Sequence, residues 1–125
     1  LHEGANWEAF MFAAQHGLDN LNVVVDNNRI CMLGHTDNVI SHGSLVSRLE
    51  AFGWECQEMD GHDVDVLTNA MHSMKMKSSG KPKALIAHTV KGRGVPGLQN
   101  VPLSHILNPN ADLIQDLLGN GGTLA

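Results

Sequence analysis

The stretch Leu21-Asn22-Val23-Val24-Val25-Asp26-Asn27-Asn28 decides the fold. Residues 21–25 form an apolar run broken only by Asn22. Branching at Cβ stiffens the valines and favours extended chain. A short Val-rich run suits a strand buried on both faces, as in a parallel sheet. Asp26-Asn27-Asn28 then ends it, because short polar side chains that bond their own backbone favour loops.

Upstream, residues 6–15 read as a helix with Trp7, Phe10, Met11 and Ala14 on one apolar stripe and Gly17 as its stop. Downstream, a polar loop passes through Gly34, His35, Thr36 and Asp37. Residues 44–52 form a second helix, with Leu45, Leu49 and Phe52 on one side and Gly53 after it. Residues 54–59 are the next strand, and Asp60-Gly61-His62-Asp63 is a turn whose Asp63 caps a third helix. That helix places Leu67, Ala70, Met71 and Met74 at helical spacing and ends before Ser78-Ser79-Gly80-Lys81-Pro82. Residues 84–88 are a third strand, followed by the Gly-rich run Lys91-Gly92-Arg93-Gly94. Residues 111–118 form a short helix, and the Gly-rich tail after it is expected to fray.

Strands alternating with helices specify an α/β fold, with a mostly parallel sheet and helices on both faces, in a single domain over residues 1–125. In such sheets ligands sit beyond the carboxyl ends of the strands. That rule puts residues 26–33, 60–63 and 89–105 on the functional edge. Three strands make a small sheet, and the chain opens on Leu1 without an initiator Met. Further sequence upstream or a large partner is therefore expected.

Composition narrows the function. Only 8 Lys and Arg stand against 13 Asp and Glu, a net charge of -5, which argues against a basic nucleic-acid face. There is no run of about 18 apolar residues to span a membrane, and no signal-peptide pattern at the start. Cys31 and Cys56 form no CxxC and read as free thiols of a reducing compartment, hence a cytoplasmic protein. The eight histidines include no HExxH and no helical pair, so they do not read as a zinc site.

Individually the remaining motifs are weak. An Asp-Asn-Asn turn is usually only a turn, although neutral oxygens at a strand end suit a Mg²⁺ or Ca²⁺ ion that already faces phosphates. A Glu in a first helical turn, as at Glu3 before Gly4, commonly just complements the helix dipole. The Lys91-Gly92-Arg93-Gly94 run can present backbone N–H groups, yet it fits neither the phosphate-loop pattern nor the dinucleotide fingerprint.

Their order is more telling. The runs Glu3-Gly4-Ala5-Asn6-Trp7-Glu8-Ala9, Val25-Asp26-Asn27-Asn28-Arg29-Ile30, Leu33-Gly34-His35-Thr36, Phe52-Gly53-Trp54, Asp60-Gly61-His62-Asp63 and Thr89-Val90-Lys91-Gly92-Arg93-Gly94-Val95 resemble transketolases. The likeness continues to Ser104-His105 and is greatest to the separately encoded N-terminal subunits.

The resemblance implies the later part of a thiamine diphosphate-binding domain. It implies Asn28 as side-chain ligand and Ile30 as backbone ligand of Mg or Ca. Met32 would stand beside the thiazolium region, with Glu3 and Gly4 close to cofactor and subunit interface. His105 would be both a catalytic and a cofactor-binding residue near diphosphate and substrate. The family's GDG motif, with its acidic metal ligand, does not occur in these residues. The resemblance also implies a partner: a C-terminal transketolase-like subunit bringing the pyrimidine-binding domain and the activating glutamate, in a hetero- or homo-oligomer such as a dimer. The implied reaction is two-carbon ketol transfer between sugar-like substrates. Two alternatives stand beside it: a diphosphate-binding subunit for 2-oxo acid decarboxylation or dehydrogenation, and a non-catalytic structural fragment.

Overall fold

The computed structural model describes residues 1–106, 108 and 110–119, so the tail expected to fray lies outside the described residues. Two compact units are distinguished: residues 1–27 with 42–88, and residues 28–41 with 89–125.

The first unit holds a three-stranded parallel sheet. Its strands are β1 (Asn22–Asn27), β4 (Glu55–Asp60) and β5 (Lys83–His88), in the order β1-β5-β4. The last strand in the sequence is thus the central one. Helices α1 (Gly4–Gln15) and α3 (Leu45–Ala51) cover one face, and α4 (Val64–Met76) covers the other.

Period-2 alternation sorts the strand residues between the faces. Ala84 and Ile86 of β5 pack with Phe10, Ala13, Leu45, Leu49 and Trp54, while Leu85 packs with Ala70 and Met74. Trp54 stands edge-on to Phe10, with ring centroids 5.2 Å apart, and its buried indole N–H donates to the Phe10 carbonyl at 2.9 Å. A buried indole needs such a partner, and the bond fixes α1 against the start of β4.

β1 is an edge strand, which corrects the expectation of burial on both faces. Val23 and Val25 pack against the α1–α3 core, but Val24 on the opposite face is 49% exposed. β5 is the doubly buried strand, with every residue from Lys83 to Ala87 buried. Lys83 is 2% exposed, and its ammonium donates to the Asp19 carbonyl.

β1 also runs farther than expected. Asp26 pairs with Ala87 and Asn27 with His88, so both are strand residues and the loop starts at Asn28. Local Asp and Asn preference for turns yields to the ladder offered by β5. Two apolar stripes shift similarly. Ala13 is buried in α1 where Met11 was expected, and Met11 and Met71 are about half exposed. Helix ends follow their caps more closely. Ser44 Oγ accepts from Ser47 N at 3.1 Å, and Asp63 Oδ1 accepts from Val66 N at 3.0 Å.

In the second unit, the loop expected after Asn28 contains structure of its own. Residues Ile30–Cys31 (β2) and Gly34–His35 (β3) form a small antiparallel hairpin, followed by the short helix α2 (Thr36–Val39). The later segment has 3-10 turns at Pro96–Leu98 and Ser104–Ile106, then α5 (Ala111–Gly119). No helix among the described residues is long and apolar enough to cross a membrane.

The His42 ring lies 4.5 Å from His2 and 5.6 Å from Trp7, centroid to centroid. Its Nε2 is buried without a hydrogen-bond partner. Burial, then the neighbouring His2 and Arg48 charges, lowers its pKa below the ordinary 6.5. The unfolded chain therefore binds this proton more readily than the native one. His42's effect is to lower stability as pH falls through 6.5. His42→Gln should flatten the fall in unfolding free energy between about pH 7 and pH 5, as measured by urea titration. An unchanged pH slope would refute it.

Candidate functional site

The parallel register brings Asn27, His88 and Asp60 to the same rung at the carboxyl edge of the sheet. Gly61 N donates to the His88 carbonyl at 2.7 Å, and Asp60 Oδ1 accepts from His62 N at 2.8 Å, which closes the turn after β4. His88 links all three strands. Its Nε2 lies 3.1 Å from Glu58 Oε2, and its Nδ1 lies 3.2 Å from Asn27 Nδ2. One tautomer satisfies both contacts: Nε2–H donates to the carboxylate, and Nδ1 accepts from the amide. Both segments of the second unit begin immediately after this clasp, at Asn28 and Thr89.

Asn28 opens the first segment. Its Oδ1 accepts from Ile30 N at 2.9 Å, spanning Arg29, which has the positive φ of 58°. A left-handed non-glycine residue is strained, and the Asn28 bond offsets that cost locally. Arg29 O accepts from both Thr36 N and Thr36 Oγ1, at 2.9 and 3.3 Å. Asn28 and Ile30 are thus held by a defined turn. Met32 sits with Leu33 between the hairpin strands, and the two are 72% and 81% exposed.

The second segment folds back on itself. Val95 N donates to Gly92 O, and Asn100 N donates to Lys91 O. Gly92 has φ +75°, and a Cβ there would stand 2.4 Å from the Leu98 carbonyl oxygen. Only glycine fits. Gly94 also has positive φ, with nothing within 4 Å of a built Cβ. Lys91 Nζ donates to the Pro102 carbonyl and, at 2.9 Å, to Nδ1 of the exposed His105.

Glu3 and Gly4 belong to the first unit. Glu3 occupies the N-cap of α1 but makes no side-chain cap bond. A Cβ on Gly4 would meet nothing within 4 Å. Its glycine character is therefore not explained by crowding from the described residues.

Both cysteines are free thiols and half-buried. Burial, then Glu50, pushes the Cys56 thiol up to about 11. Cys56 lines a cavity of about 460 Å³ with Glu55 and Lys83, at the amino ends of β4 and β5. Among the described residues, no group of three His, Cys, Asp or Glu side chains is placed to hold a metal ion. The expected set of Asn28 and a backbone carbonyl is of a different kind, with neutral oxygens only.

Residues 1–119 match the family described as transketolase, thiamine diphosphate binding domain. The chain belongs to this transketolase family. It is 36% identical over 115 residues to one subunit of the apulose-4-phosphate transketolase of Actinobacillus succinogenes, covering 92% of this chain and 41% of that protein. It is 42% identical over 103 residues to transketolase-like protein 2 of Bos taurus, covering 82% of this chain and 16% of the other. Transketolase from Campylobacter jejuni superposes with a TM-score of 0.76 at 28% identity, over 96% of this chain and 18% of that one. The chain thus spans less than half the length of each of these relatives.

Sequence reasoning did not single out His88 or Lys91 as individual residues. For His88 the sequence offered only its place at the end of an expected strand; that this strand is central and sets His88 level with Asn27 comes from the fold. Lys91 lay in the Gly-rich run, but a contact 14 residues away has no periodic signature.

The site chemistry yields two expectations. Gly92→Ala should lower unfolding free energy by roughly 1–3 kcal/mol from backbone strain, while Gly4→Ala leaves it nearly unchanged. Equal denaturant midpoints for the two variants would overturn the loop account. Cys56 should resist a thiol-disulfide reagent at neutral pH and react faster as pH approaches 11, because only the thiolate attacks. Rapid labelling of Cys56 at neutral pH would contradict its protonated state.

Proposed function

We propose that residues 1–125 form part of the diphosphate-binding domain of a transketolase-like transferase, which moves a two-carbon ketol unit between sugar-like substrates. Family membership supports thiamine diphosphate as the cofactor. The single observation supporting the local assignment is the Asn28 turn, with Asn28 Oδ1 on Ile30 N across left-handed Arg29. It makes a rigid carrier of amide and carbonyl oxygens directly after a parallel strand, where ligands of α/β sheets bind.

These residues fit a Mg²⁺ or Ca²⁺ ion in part. Hard oxygens are the right donors, and such ions usually share their shell with phosphates and one or two carboxylates. Asn28 and Ile30 supply neutral oxygens, and an amide oxygen accepts twice. The acidic ligand must then come from outside this donor set. The open backbones of Gly4 and Gly94 leave room for a close neighbour, whether cofactor or protein. When bound, the cofactor supplies carbanion stabilisation. His105 orients diphosphate or substrate by hydrogen bonding, Glu3 lies near cofactor and interface, and Met32 gives an apolar contact.

One similar protein is named as a single subunit of a transketolase. This supports a partner subunit, to which we assign the pyrimidine-binding domain and the activating glutamate; the cytoplasmic assignment rests on the two free thiols. Assays with 2-oxo acids in place of ketose phosphates separate this reading from a decarboxylase or dehydrogenase component. If no longer protein carrying this sequence binds the cofactor, the non-catalytic reading takes its place.

Asn28→Ala in the full-length protein with its partner should weaken Mg²⁺-dependent thiamine diphosphate binding by at least about tenfold, consistent with loss of an interaction to a charged group. Calorimetric titration measures it. An unchanged dissociation constant would remove Asn28 from the metal site.

A further inference from the structure

We infer that Lys91 is a positioning residue that fixes His105 as a neutral imidazole presenting Nε2–H, which makes His105 a hydrogen-bond donor to an anionic oxygen rather than a base. The inference rests on the reading of His105 as a ligand-facing residue and specifies what it does there.

An ammonium group has three donors and no acceptor. Lys91 Nζ stands 2.9 Å from His105 Nδ1, so Nδ1 must accept. A neutral imidazole with Nδ1 accepting bears its proton on Nε2. A second donor position of the same ammonium is held by the Pro102 carbonyl. The nitrogen is therefore anchored to backbone three residues before His105.

The main chain reinforces the side chain. Asn100 N donates to Lys91 O at 2.9 Å, so both ends of Lys91 grip the returning segment. Gly92, next in sequence, is packed so closely against the Leu98 carbonyl that no Cβ fits. Ser104 N donates to Val101 O and Ile106 N to Leu103 O, which closes the 3-10 turn that bears His105. The Nδ1 edge of the ring is thus engaged within the loop. The other ring nitrogen bears the hydrogen, and an N–H pairs best with a charged oxygen such as that of a phosphate or diphosphate.

The test uses the full-length protein with its partner, with ¹⁵N-labelled histidine and His105 assigned by loss of its signals in His105→Gln. Above the usual imidazole titration range, wild-type His105 should show a bare Nδ1 and a protonated Nε2. Lys91→Arg should keep that tautomer, and Lys91→Met should give a mixture. Lys91→Met and His105→Gln should each weaken thiamine diphosphate binding about tenfold, and the double variant should lose no more than either single one. A protonated Nδ1 in the wild type overturns the inference without any variant, and so does an unchanged tautomer in Lys91→Met. If the wild type binds no thiamine diphosphate, the proposed function fails, and the tautomer still decides the role of Lys91.

Discussion

Central strand β5 must satisfy its backbone while lying out of reach of water. An unpaired buried amide or carbonyl costs free energy comparable to a lost hydrogen bond, so a strand buried on both faces requires a neighbour on each edge. β1 and β4 are those neighbours, and they pair with β5 over the same six residues. This shared register is what aligns Asn27, Asp60 and His88. Their side chains and turns then follow from position: the three strands run parallel, so their carboxyl ends face the same way. The buried Lys83 start of β5 and the His88 clasp at its end mark the two limits of this rung pattern.

Much of this arrangement was legible in the sequence, because the signals behind it are local. Asp63 reads as an N-cap and is one. Gly17 reads as a helix stop, has φ +57°, and follows the last residues of α1. The helix-on-both-faces architecture follows from alternation of strand and helix patterns. What failed depended on neighbours distant in sequence. A Val-rich run does not say which strand is central, so it points to β1 for the burial that belongs to β5. Asp26 and Asn27 have turn chemistry, yet the ladder of β5 extends them. Met11 and Met71 sit at helical spacing with core residues, but a stripe's edge is set by what packs against it.

The candidate site divides in the same way. Asn28 was legible as a loop residue after a strand, and its bond across Arg29 gives that reading a physical form. Nothing in the sequence marks Arg29 as left-handed, since Asn or Gly is the usual choice there. The strain is tolerated because Asn28, Ile30 and Thr36 over-determine the turn. Backbone held this way keeps oxygens in place without ordering them at the moment of binding, which reduces the entropic cost of assembling a ligand sphere.

The basic atoms of these residues indicate which half of the chemistry they can perform. A general base needs an available lone pair at working pH, on an imidazole or amine nitrogen, a carboxylate oxygen or a thiolate. His88 has one nitrogen on Glu58 and the other on Asn27. His105 has its accepting nitrogen on Lys91. The Cys56 thiol stays protonated because burial raises it to about 11. Each of these three groups, strong candidates by residue type, has its basic atom engaged or protonated. What they offer is donors and fixed dipoles, the equipment for binding an anion and keeping it oriented.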